Sequence, residues 1–524
     1  MHPVETILAL LVPTTVLAVV AKKISIPYPI VLVIGGSLLA FIPGLPSARL
    51  DPQLVFLLFL PPILYATAYF TSWRDFRDNL PSISLLAVGL VLATTAAVAT
   101  AFHAVVPGLG WPAAFVLGAI VSPPDAVAAT AIAQRLRLPR QIVTILEGES
   151  LVNDATGLVL LKFATAAAVT GTFSAGTAAL EFVLVAAGGI VVGAAAGLLF
   201  ARLERLLDDS VLAATASLLV CFVVYILAER LHASGVLAVV TAGLIQGRAV
   251  PRLWTPRMRV EATAFWDTVV FILNALIFVL IGLQLPSIVA GLSGLERGTV
   301  VDAIFATLAA AVGIRLLWMF PGAYLPRLLF PAYAARSPKP PGTWVLLVGW
   351  TGMRGIVSLA AALALPVATA SGEPFPGRDL ILIVTFAVIF ATLVLQGLTL
   401  PAFIGWLGIG KDASAFQEER QARKALAEAA LARIDTLAEE HVLPAHQIHP
   451  VRQEMVDRLR QLVRVDPEPD LPASTPERIL WLRRESLDAQ RDRLIALRQD
   501  EVIGDDVLHR LQHELDLEEM RIGR

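Results

Sequence analysis

The sequence predicts an all-α membrane protein of about thirteen transmembrane helices, followed by a cytoplasmic helical tail. Hydrophobic residues make up 56% of the chain and charged residues 16%, with a mean hydropathy of +0.72. A soluble globular domain carries about 25% charged residues, so that class is excluded. The charges are also segregated: they form short clusters up to about Lys411 and then run almost continuously from Glu418 to Arg524. Between the clusters, apolar runs repeatedly reach the roughly 20 residues that a helix needs to cross hydrocarbon. We therefore divide the chain into a transmembrane domain, 1–410, and a helical tail, 411–524.

On that ruler the spans fall at 4–20, 28–45, 53–71, 82–105, 112–134, 142–169, 177–200, 210–231, 233–247, 264–285, 299–320, 342–369 and 379–406. The first has no basic region ahead of it and is followed at once by Lys22 and Lys23, so it reads as a retained span and not a cleaved signal. His232 and Gly235 leave only a tight turn between the eighth and ninth. Basic residues recur in alternate loops, from Lys22 and Lys23 through Arg74 and Arg77 to the group Arg248, Arg252, Arg257 and Arg259. Those loops are expected on the cytoplasmic side, which places the N-terminus outside and the C-terminus inside.

Two spans are interrupted. The fifth contains Ser122, Pro123, Pro124 and Asp125, and the twelfth contains Gly349, Gly352 and Gly355 around Arg354. Proline removes a backbone donor and glycine loosens the helix, so each break frees polar backbone that is tolerated only inside protein or against a wet cavity. Discontinuous helices at matching positions of two halves imply inverted repeats with a site at the midplane.

In the tail, Glu418 to Glu440 and Ile479 to Leu497 read as soluble helices, the second with Thr475 and Pro476 at its start, and Gly504 precedes a further one from Val507 to Met520. Leu480, Leu487, Leu494 and Leu497 share a face suited to packing.

The chemistry gathers in the sixth span, where Asn153 and Asp154 interrupt an apolar stretch. A charge at a helix centre in a bilayer costs about 2.5 to 3.5 kcal/mol even on mild scales, so such acids mark ion pathways or proton relays. Ser150, four residues earlier, shares the face of Asp154, and Glu147 lies nearly two turns toward the cytoplasmic end. That spacing assigns Asp154 and Ser150 to a cavity and Glu147 to its mouth, where it attracts cations. Glu149 points elsewhere, toward a fixed counter-charge; Arg354 is the natural partner, and Arg315 is its rival, placed nearer the cytoplasmic end of the eleventh span, where an interfacial or interdomain role suits it better. Asp125, directly after the break, adds a second acid beside free carbonyls. Asp154, Asp125 and Ser150 make an all-oxygen set that suits Na⁺, with no His or Cys cluster to hold a transition metal. Lys162, about 12 Å beyond Asp154, reads as a snorkelling base. His103, His232 and His441 read as solvated interfacial or tail residues.

The segments S-P-P-D-A-V-A from Ser122, E-G-E-S-L-V-N-D from Glu147 and G-M-R-G from Gly352 resemble the bacterial sodium/proton antiporters of the monovalent cation:proton antiporter-1 family. The resemblance covers about residues 4–406 and extends to the charged tail. It implies a multi-pass protein of the bacterial inner membrane, a homodimer in contact with lipid, whose core holds two crossed broken helices and moves like an elevator. It implies that Asp154 accepts the ion or the proton, that Asp125 and Ser150 help to bind, that Asn153 is structural at the crossing, and that Glu149 and Arg354 form a stabilising ion pair. An Asn-Asp pair resembles the electroneutral branch. Na⁺ and H⁺ are then substrates, with K⁺ or Li⁺ as alternatives to Na⁺, and no cofactor is expected. Pro124 stands where relatives often have threonine and Ala66 where some have an acid, so water is expected to complete the ion's shell.

Other classes fit the residues less well. Basic residues are scattered over loops and tail, which argues against a nucleic-acid partner. Cys221 is the one cysteine, so no internal disulfide can form. A cation channel or uniporter would also need buried acids, and an intramembrane aspartyl hydrolase could use Asp125 and Asp154 as a dyad. The hydrolase leaves the second break, around Arg354, without a purpose.

Overall fold

The computed structural model describes residues 3–463 apart from 25, 43–51, 53–54, 137, 173, 208, 292–294, 338, 371, 410–412 and 441–444, with a few positions beyond 463. The chain forms two compact units, Met1–Ala415 and Phe416–Arg524. Both are helical among the described residues, apart from one isolated bridge between Ala368 and Pro374.

The first unit opens with α1 (Pro3–Ile24), α2 (Tyr28–Leu39), α3 (Val55–Phe70) and α4 (Leu80–Val105). The fifth predicted span is two helices, α5 (Gly110–Val121) and α6 (Ala126–Arg135). Next come α7 (Arg140–Thr170), α8 (Ala175–Leu203), α9 (Ser210–Arg230), α10 (Gly235–Leu253) and α11 (Pro256–Leu283). Then follow α12 (Arg297–Leu329), the pair α13 (Gly342–Trp350) and α14 (Ile356–Leu363), and α15 (Arg378–Trp406). Among the described residues seven helices are long and apolar enough to cross a membrane, and four shorter apolar helices accompany them.

Local chemistry explains many of the boundaries. Asp209 caps α9 by accepting from Val211 N and Leu212 N, Ser234 caps α10, and Thr255 caps α11 ahead of Pro256. Gly171, in the left-handed region at φ 73°, closes α7. His232 takes φ 56°, and this compresses the α9–α10 connection into the tight turn that the sequence requires. Several expected spans change in extent. In the span placed at 28–45 the helix α2 ends at Leu39, the one at 264–285 begins already at Pro256, the one at 342–369 breaks after Trp350 and ends at Leu363, and the one at 299–320 continues to Leu329.

Helices approach closely where side chains are absent. A Cβ on Gly282 of α11 would stand 2.5 Å from Ser37 N of α2, so these two helices pack backbone to backbone. One large apolar core runs through α4, α5, α11, α14 and α15, and a second joins α3, α9 and α10.

Helix α16 (Ala413–Glu439), of which all but the first three residues belong to the second unit, covers most of the stretch expected to be helical from Glu418. It is followed by α17 (Ala445–Val463), and Arg452 pairs with Asp435 at 2.8 Å. The expectations for Thr475, Pro476, Leu480, Leu494, Leu497, Gly504 and His441 lie outside the described residues, as do Gly410 and Lys411 at the expected boundary, and of the helix expected from Val507 to Met520 only Leu515, Leu517, Glu518 and Glu519 are described, all helical.

Candidate ion-binding site

The two interruptions meet. Residues 122–125 separate α5 from α6, residues 351–355 separate α13 from α14, and Asp125 N donates to Met353 O across them at 2.7 Å. Backbone freed by one gap is thus satisfied by the other, which is what unwound chain at membrane depth needs. Asp125 Oδ1 accepts from Val127 N at 2.8 Å, and the Ile356 backbone N–H also bonds to its carboxylate. No side chain fits at Gly355, because a Cβ there would overlap the carboxylate of Asp125. On the far side, Arg354 N donates to Thr392 Oγ1 of α15 at 3.0 Å.

Helix α7 lies against this crossing. Gly157 makes room for it, since a Cβ there would stand 2.9 Å from the ring of Pro123. Asn153, fully buried, donates from Nδ2 to the Pro124 carbonyl at 2.9 Å. Asp154, 7% exposed, turns to the other side and lines a cavity of about 510 Å³ together with Asp125, Ser150 and Glu147. The cavity therefore gathers the four residues that the sequence proposed for it, while Asn153 and Glu149 are not in its wall. Ala66 of α3 and Pro123 are also in the wall, with side chains of carbon alone.

One expected pairing is corrected. Glu149, 1% exposed, is gripped through both oxygens by Arg315 of α12, at 2.5 and 3.0 Å, and not by Arg354. Arg315 Nη2 also donates to Val348 O at 3.1 Å. Arg354 is buried with no hydrogen-bond partner for Nε or Nη1. The error came from helix length: α12 has 33 residues and ends at Leu329, so Arg315 sits near its midpoint instead of near an end. Lys162 does not line the cavity; its Nζ lies 3.6 Å from Glu181 of α8.

Sequence reasoning passed over several wall residues. Asp267 and Asn274 of α11 and Tyr28 of α2 line the cavity, with Tyr28 hydrogen-bonded to Asn274. Asp267 and Asn274 lie seven residues apart in an otherwise apolar span and so share a helix face, a signal that was available. Ser358 of α14 lines it as well, but one serine in an alanine-rich helix carried no such signal.

Membrane-length helices and two broken helices meeting beside paired carboxylates are the arrangement expected of an ion transporter. The family described as sodium/hydrogen exchanger, transmembrane, matches residues 6–406, and the chain belongs to it. A protein of Mycobacterium bovis named an uncharacterised Na⁺/H⁺ exchanger is 36% identical over 98% of this chain and 95% of its own length. A sodium, potassium, lithium and rubidium/H⁺ antiporter of Bacillus pumilus is 36% identical over 72% of this chain and 57% of its own. The solved structure of a sodium proton antiporter from Methanocaldococcus jannaschii shares the fold, with TM-score 0.60 and 20% identity over 78% of this chain and 99% of that one.

Proposed function

We propose that this antiporter exchanges one Na⁺ for one H⁺ by competition at Asp154. The observation that carries the reading is the shared cavity: Asp154, Asp125 and Ser150 offer oxygens to one space, while Asn153 is engaged at the crossing. Hard cations prefer such oxygens. A carboxylate withdrawn from water holds either a proton or a metal ion, and occupation by one excludes the other. With the acid neutralised by either substrate the core crosses; empty and ionised, it meets the cost of moving an uncompensated charge through an apolar surround.

Asn153 contributes no second exchangeable charge, which supports an electroneutral cycle that voltage does not drive. One pH unit is worth about 1.4 kcal/mol and sustains about a tenfold Na⁺ gradient. Glu147, in the same wall as Asp154, draws cations in. The wider arrangement in this reading is a homodimer of about thirteen spans with inverted repeats, embedded in the inner-membrane lipid with the N-terminus outside and the tail cytoplasmic. An elevator-like shift of the core alternates access. No cofactor takes part. K⁺ or Li⁺ in place of Na⁺ is the second reading, favoured by the name of the Bacillus pumilus relative.

The test is cation-dependent H⁺ movement in everted vesicles and in voltage-clamped proteoliposomes, comparing wild type with Asp154→Asn. We expect Na⁺-dependent exchange, insensitive to voltage and lost in the variant. Exchange retained by Asp154→Asn defeats the site, a voltage response defeats electroneutrality, and activity with K⁺ alone favours the second reading.

A further inference from the structure

Ser358 is 1% exposed, and its Oγ is buried without a hydrogen-bond partner. Several other serines and threonines in apolar helices of this protein satisfy the hydroxyl by bonding back to the carbonyl four residues earlier. Examples are Ser37 to Val33 O at 2.9 Å, Thr95 to Val91 O at 2.8 Å and Thr392 to Val388 O at 2.8 Å. Ser358 makes no such bond, because the residue four before it is Arg354, in the unwound gap ahead of Ile356. A buried hydroxyl left unsatisfied costs about 1 to 3 kcal/mol.

Its position supplies the reason. Tyr65, Thr94, Thr307 and Thr385 also bury an unpartnered hydroxyl, but Ser358 is the one of these, among the described residues, that lines the cavity of Asp125 and Asp154. It lies in the first turn of α14, whose Ile356 N–H bonds to Asp125 and whose preceding residue, Gly355, abuts that carboxylate. Ala66 and Pro123 in the same wall have side chains of carbon alone. A cation that has shed water there needs replacement oxygens, and a hydroxyl supplies one without adding charge.

We propose that Ser358 Oγ is a further ligand of the transported cation, so that the second broken helix contributes a side chain to the ion as the first does through Asp125. This inference rests on the exchange reading above. The hydroxyl directs a lone pair at Na⁺ when the metal is bound and turns its proton toward a carboxylate oxygen or water when it is not. Being neutral, it tunes affinity and choice of cation and leaves the proton stoichiometry alone.

The experiment measures Na⁺- and Li⁺-dependent H⁺ exchange in proteoliposomes of the full chain for wild type, Ser358→Ala, Ser358→Thr and Asp154→Asn, with Tm of each protein in NaCl and in choline chloride. For Ser358→Ala we expect the KM for Na⁺ to rise about tenfold, equivalent to about 1.4 kcal/mol. Its maximal rate should stay within about twofold, its Na⁺-induced rise in Tm should shrink, and its Tm in choline should be unchanged or higher, since the variant removes an unsatisfied group. Ser358→Thr, which keeps the hydroxyl, should restore the KM. Should the alanine variant fail to assemble, Ser358→Cys, with its softer sulfur, is read by the same KM and Tm criteria. Unchanged KM values for both cations overturn the proposal, as does a fall in maximal rate at constant KM. Failure of the exchange reading itself looks different: wild type would then lack Na⁺-dependent exchange, or Asp154→Asn would retain it.

Discussion

Asn153 and Pro124, 29 positions apart, are joined by a 2.9 Å hydrogen bond from the asparagine amide to the proline carbonyl. The bond ties α7 to the gap between α5 and α6, one residue before the cavity-facing Asp154. The two members of the Asn-Asp pair thus look in different directions, one holding the crossing and the other meeting the cavity.

Asn153→Ala should lower the stability of the purified protein by about 1 to 3 kcal/mol, the cost of leaving a buried partner unsatisfied. Asn153→Asp should behave according to pH. Its carboxyl can donate to the Pro124 carbonyl only while protonated, so the variant should approach wild-type Tm at low pH and fall below it as pH rises. A pH series of thermal melts checks this, and parallel curves for variant and wild type would refute it.

For the buried pair, Arg315→Gln should strand the Glu149 carboxylate and destabilise the fold by about 3 to 5 kcal/mol. Arg354→Gln should leave the Glu149 contact intact, because both carboxylate oxygens are already held by Arg315. Double-mutant cycles with Glu149→Gln, read by thermal denaturation, should give strong coupling to Arg315 and weak coupling to Arg354. The reverse order would restore the pairing that the sequence favoured.

Gly355→Ala should abolish exchange even where the protein is still inserted, because its Cβ would occupy the space of the Asp125 carboxylate and push apart the two gaps. At Gly313, in α12, an added Cβ would meet nothing within 4 Å, so Gly313→Ala serves as the control and should exchange at close to the wild-type rate.

Competition at one carboxylate has a kinetic signature. On the acid side of the activity profile the KM for Na⁺ should rise about tenfold for each unit fall in pH while the maximal rate holds, since each unit changes proton occupancy by that factor. Stopped-flow measurement of Na⁺-dependent H⁺ flux across a pH series decides it. A maximal rate that falls with an unchanged KM would show that protons act somewhere other than the sodium site.

Much of the arrangement was readable from local pattern. The breaks at Pro123 and Pro124 and at Gly352 and Gly355 announce themselves, because both residue types act on the backbone where they stand. The shared face of Glu147, Ser150 and Asp154 follows from helical spacing, and the cavity gathers those three. What escaped depended on distant helices. Arg315 was misplaced because apolarity marks the width of a span and not the 33 residues of the helix that contains it. Ser358 carried no sign, since its unsatisfied hydroxyl follows from a break four residues earlier and from a cavity wall built by α2, α3, α7 and α11.

By itself, then, the sequence determined that this is a helical membrane protein with acids placed mid-span and two interrupted helices, because hydropathy, helical periodicity and proline geometry operate within a few residues. The tertiary structure alone decided which arginine grips Glu149, that Asp125 N reaches Met353 O, and that a hydroxyl of the second broken helix shares the space of Asp154. Contacts of 2.5 to 3 Å between helices far apart in the chain depend on each helix's length, rotation and depth, and no local stretch of chain encodes those quantities.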